Sequence, residues 1–112
     1  MDTSFDIIGE NMIITMDSEL DHHNAEIVRN MVDRYIYTGK IKNIIFDFEN
    51  TTFMDSSGIG VIVGRYKLIS PLMGKISVIN VNGIVDRILL LSGLYKNKIV
   101  SRKDNLEDAL NE

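Results

Sequence analysis

The residues whose types and spacing could do chemistry lie in the run Phe53-Met54-Asp55-Ser56-Ser57-Gly58. Two hydroxyls beside a carboxylate could accept a phosphoryl group, cap a helix or, with a base, act as a nucleophile. A phosphate on serine adds about −1.5 to −2 charge units and three strong acceptor oxygens. Nucleophilic catalysis needs an activating base, and no histidine lies within the run. Capping by itself accounts for three such residues, since Asp and Ser both favour helix N-termini. The glycines Gly58, Gly60 and Gly64 weaken that reading, because each glycine inside a helix costs roughly 1 kcal/mol relative to alanine. Gly60 and Gly64 are four apart and share a face, which suits close approach by a neighbouring element. Gly58 is the one that a ligand or partner at the helix start would explain.

Other candidates carry less. His22 and His23 are adjacent, so on a helix they diverge and make a poor chelating pair. One is expected to be exposed and the other to pack locally, and no metal site is expected. Asp47 and Glu49 would point to the same side of a strand, which reads as a strand-end acid and a loop acid rather than an acid–base pair. Gly58-x-Gly60-x-x-x-Gly64 is one residue longer than a dinucleotide fingerprint, and Ile79-Asn80 stand where the next strand would end in an acid. No cofactor is expected. Met12, Met16, Met31 and Met54 read as core filler, Met73 as an exposed loop residue. Nothing here points to an enzyme.

The elements that must position Ser56 follow from hydrophobic period. With 112 residues, 45% hydrophobic and 25% charged, the chain suits one domain spanning residues 1–112. Phe5–Ile8 and Met12–Met16 read as a hairpin around Gly9-Glu10-Asn11. Asp21 caps a helix carrying Ala25, Val28, Val32, Tyr35 and Ile36 on one stripe, and Gly39 stops it. Ile44–Phe48 is apolar enough for a central strand. A second helix with Ile59, Ile62, Val63, Tyr66 and Ile69 follows the Ser56 run and ends at Pro71. Lys75–Val81 reads as a strand, Val85–Leu89 leads a third helix closed by Gly93, Ile99-Val100 is a last short strand, and Leu106–Leu110 a terminal helical turn. The order β-β-α-β-α-β-α-β-α predicts a compact α/β domain with a mixed sheet.

Charge and composition exclude several partners. The net charge is −4 and the basic residues are scattered, with Lys96-Asn97-Lys98 and Arg102-Lys103 the densest, so nucleic acid is not an expected partner. No run of about 18 apolar residues could span a bilayer. With no cysteine and no secretory signal pattern, the expected compartment is the cytoplasm.

Glu19-Leu20-Asp21-His22-His23, the fifteen residues Phe53–Lys67 and Leu91-Ser92-Gly93-Leu94 together resemble anti-sigma factor antagonists of the STAS-domain class, nearest to the sporulation members that counteract an anti-sigma F factor. The likeness covers nearly the whole chain. It implies that the serine after the aspartate, Ser56, is phosphorylated by an anti-sigma factor that is also a serine kinase. The unphosphorylated form would bind that factor and release the sigma factor; phosphorylation would abolish binding and a serine phosphatase would restore it. The implied partner surface is Asp21, Asp55, Ser56, Ser57 and Gly58. Ser18 and the segment Ser70–Gly74 depart from the common pattern, where relatives often carry glycine. A second reading keeps the STAS fold as a small-molecule-binding module in which Ser56 only caps.

Overall fold

The computed structural model describes residues 3–111. Ser4–Ile8 (β1) and Asn11–Thr15 (β2) pair antiparallel, with Ile8 opposite Asn11 across a turn shorter than the three-residue loop expected. Three further strands extend the sheet in parallel: Asn43–Asp47 (β4), Ile76–Ile79 (β6) and Ser101–Arg102 (β7), giving the order β1-β2-β4-β6-β7. Each parallel step needs a crossover, supplied by the helices His22–Tyr37 (α1), Ser56–Ile69 (α2) and Gly83–Leu91 (α3). A short helix, Leu106–Leu110 (α4), follows. This is the α/β domain with a mixed sheet that the element order predicts.

Strand alternation divides the core. Met12, Ile14, Met16, Ile44, Phe46, Phe48, Ile76 and Val78 face α1, α2 and α3 in one cluster, while Ile13, Ile45 and Ile79 face Ala109 of α4 in a second. Burying each large side chain of this kind stabilises by roughly 1.5–3 kcal/mol, so the continuous apolar run of β4 anchors both faces. The α1 stripe is as read from the sequence, with Ala25, Val28, Val32 and Ile36 inward. Gly39 and Gly93 sit at φ of 74° and 79°, left-handed conformations that suit glycine after a helix end.

Four elements also differ from the sequence expectation. Two two-residue strands, Glu19–Leu20 (β3) and Phe53–Met54 (β5), form a separate parallel pair. The last strand is Ser101–Arg102 rather than Ile99-Val100. The N–H groups of both Ile99 and Val100 bond the Leu94 carbonyl, and Val100 is spent plugging the core beside β6. The inward face of α2 contains a charge: Arg65 is buried among Val61, Ile62 and Ile69.

Candidate functional site

The β3–β5 ladder builds the site. It pairs Leu20 with Met54, and the Asp55 N–H continues it to the Leu20 carbonyl at 3.4 Å. The next residues along the two chains are Asp21 and Asp55, so α1 and α2 begin side by side. Each aspartate is the N-cap of its helix. Asp21 Oδ1 accepts from the Asn24 N–H at 3.0 Å, and Asp55 Oδ1 from the Ser57 N–H at 2.8 Å. Asp55 therefore does the capping that Ser56 would otherwise do. Ser56 is the first helical residue and is exposed, and its hydroxyl has no hydrogen-bond partner among the described residues. Ser57 is half-buried and turns toward α1.

The loop delivering this run is tied down on two sides. Thr51, fully buried, donates its hydroxyl to the Asp17 carbonyl at 2.9 Å, and the Thr52 N–H reaches the Ser18 carbonyl at 2.7 Å. Asn82 caps α3 through Val85 N–H at 2.9 Å, while its Nδ2 donates to the Thr51 carbonyl at 2.5 Å. Asp47, at the end of β4, accepts from the Glu49 N–H and from Asn80 Nδ2, both at 3.0 Å, which accounts for that acid structurally. Neither Thr51 nor Asn82 belongs to the Ser56 run; Asn82 carries the signal of an N-cap residue before a helix, and the buried role of Thr51 depends on its tertiary neighbours.

The glycines have roles opposite to those their spacing suggests. A Cβ on Gly58 would lie 2.6 Å from Met54 Cγ and 2.9 Å from Leu20 Cγ, so this buried glycine lets α2 sit against the β3–β5 ladder. Its reason is internal packing, not a partner's approach. Around Gly60 and Gly64 no atom beyond the chain neighbours and the helix's own backbone lies within 4 Å of an added Cβ, so no neighbouring element comes close there. They leave an open, side-chain-free stripe that continues from Ser56 at four-residue intervals.

His22 and His23 are both exposed, so neither packs locally as expected. His22 edges a groove between α1 and α2 that Arg65 also lines, and Arg65 meets Asp33, which does not line it, with Nε and Oδ1 2.8 Å apart. The N–H does not point along that line, so the contact is an ion pair rather than an aligned hydrogen bond. Arg65 Nη1 also donates to the Val61 carbonyl at 3.3 Å. Burial lowers the Arg65 pKa; Asp33 opposes this and Arg29 adds to it. Among the described residues no group of three or more His, Cys, Asp or Glu side chains could hold a metal ion, and no helix is long and apolar enough to cross a membrane.

Residues 3–109 match the STAS domain family. An anti-sigma F factor antagonist of Paenibacillus polymyxa is 44% identical over 101 residues, covering 90% of this chain and 85% of the relative. The chain belongs to the STAS-domain anti-sigma factor antagonists. Among solved structures it is similar to SpoIIAA, a Bacillus cell fate determinant, in its phosphorylated form, with a TM-score of 0.78 and 28% identity over 97% of this chain and 96% of that one. A putative anti-sigma factor antagonist of Thermotoga maritima gives a TM-score of 0.85 and 27% identity over 97% and 92%. STAS antagonists of this kind are regulators, and their family role implies an anti-sigma factor as partner.

Proposed function

We propose that this protein is an anti-anti-sigma factor switched by phosphorylation of Ser56. Unphosphorylated, it binds an anti-sigma factor that is also a serine kinase, and the sigma factor is released. Phosphorylation of Ser56 ends the binding, and a serine phosphatase renews it. The observation that carries this reading is the Ser56 hydroxyl, exposed at a helix start and relieved of capping by Asp55. The existence of SpoIIAA in phosphorylated and unphosphorylated forms adds support from a relative.

The physics of the switch is local. The first turn of α2 carries N–H groups and a partial positive charge, so the fold tolerates a phosphate there. A docked partner does not: it would have to desolvate about two negative charges beside the carboxylates of Asp21 and Asp55. A penalty of about 4 kcal/mol weakens binding roughly a thousandfold. Asp21, Asp55, Ser56 and Ser57 form the proposed contact surface, with Gly58 holding the helix start at its depth beneath them. The chain acts by binding and not by catalysis. Its proposed setting is transcription control in the cytoplasm during sporulation.

Calorimetry of Ser56→Ala and Ser56→Asp with the cognate anti-sigma factor tests the charge argument. Ser56→Ala should bind like the wild type, and Ser56→Asp at least roughly tenfold more weakly. Equal affinities for the two variants would count against it.

A further inference from the structure

A groove runs between α1 and α2 and adjoins the Ser56 surface at Ser57, which lines it. His22, Ala25 and Arg29 form one wall and Ser57, Gly60 and Arg65 the other, around a space of about 310 Å³. Ala25 and Gly60 are the small residues of its lining, and Gly60 leaves open the volume that a side chain would occupy. Its polar lining consists of two guanidinium groups, an imidazole and a hydroxyl, with no acid among the lining residues.

The acids that neutralise the two arginines stand off the groove. Asp33 meets Arg65 at Nε, Nη1 donates to the Val61 carbonyl, and Arg65 is held in place by its burial, at 7% exposure. Glu26 lies 3.7 Å from Arg29 Nη2 in a pair that is more than half exposed on both sides, a kind worth at most about 1 kcal/mol. Arg29 is therefore free to turn into the groove at little cost. Arg29 and Arg65 line the same groove, and Arg29 adds to the lowering of the Arg65 pKa by burial, which Asp33 opposes, so two like charges face one space. An anion between them would relieve that repulsion, and guanidinium forks match the geometry of phosphate and carboxylate.

We propose that the α1–α2 groove is a binding site for a small oxyanion of phosphate or carboxylate type, held between Arg29 and Arg65 with the Ser57 hydroxyl and His22 at its mouth. The site does not depend on Ser56 being a phosphoacceptor.

Titration of the ¹⁵N-labelled protein with sodium phosphate, and separately with sodium acetate, at ionic strength held constant with sodium chloride, tests it by NMR. Saturable shifts are expected at the Ser57 and Gly60 amides and at the Nε–H groups of Arg29 and Arg65. The anion that saturates at lower concentration assigns the site to phosphate or to carboxylate. Arg29 is exposed, so Arg29→Gln should keep the native spectrum while weakening binding roughly tenfold or more. Gly60→Leu, which fills the groove from an open helical position, should abolish saturation. Linear, non-saturating shifts in both titrations, or saturation unchanged in Arg29→Gln, would overturn the proposal.

Discussion

Asp55 and Ser56 are adjacent, yet one is committed to the fold and the other is not. Asp55 gives its carboxylate to the Ser57 N–H, and Ser56 is left with an exposed hydroxyl at the same helix start. The glycines beyond them separate in the same way, which single substitutions can check. Gly58→Ala would drive a methyl to 2.6 Å from Met54 Cγ, and should destabilise by about 1–3 kcal/mol in urea denaturation. Gly60→Ala meets no neighbouring element within 4 Å, and should stabilise by up to roughly 1 kcal/mol through helix propensity. A reversed pair of signs would contradict the packing described for α2. The residue types of the Ser56 run fitted capping as well as phosphorylation, and only the family resemblance singled out Ser56. The glycine roles were not legible in the sequence. Spacing says which residues share a helix face, but what that face meets depends on tertiary neighbours, here Leu20 and Met54.

At the scale of elements, the two-residue ladder β3–β5 is what brings two capped helix starts together. It lies below the length at which alternation can signal a strand, so only Leu20-Asp21 and Met54-Asp55, an apolar residue before an N-cap in each case, hinted at it. The long elements were readable because their hydrophobic period repeats several times. Arg65 breaks that period, since a charge on the buried face of α2 is intelligible only once Asp33 of α1 is beside it. The pair links α1 to α2. Arg65→Ala should therefore cost about 2–3 kcal/mol, because it strands a mostly buried Asp33 carboxylate. Asp33→Leu combined with Arg65→Met should recover most of that loss in the same denaturation experiment. A single variant as stable as the wild type would show that the pair does not hold α1 to α2.

Across the whole molecule, α3 and the far edge of the sheet are joined through Asp86. Its Oδ1 accepts from the Tyr95 hydroxyl at 2.7 Å and lies 3.1 Å from Arg102 Nη1 of β7. Burial, reinforced by the hydrogen bond to Asp86, raises the Tyr95 pKa above its ordinary value. The folded state thus keeps this proton at pH values where the unfolded chain has lost it. The contribution is complete below the ordinary tyrosine value of about 10 and declines as the pH rises through it. Wild-type stability should fall more steeply from about pH 10 upward than that of Tyr95→Phe. Parallel profiles would remove Tyr95 from the stability account.

Ser56, the proposed phosphoacceptor, is exposed at a helix start where Asp21 and Asp55 cap neighbouring helices. Incubation with the cognate anti-sigma kinase and ATP, followed by fragmentation mass spectrometry of the product, tests that role most directly. One phosphate is expected, on Ser56, with none on Ser57 and none in Ser56→Ala. Phosphate on Ser57 or another residue, or no phosphate at all, would contradict the proposed switch.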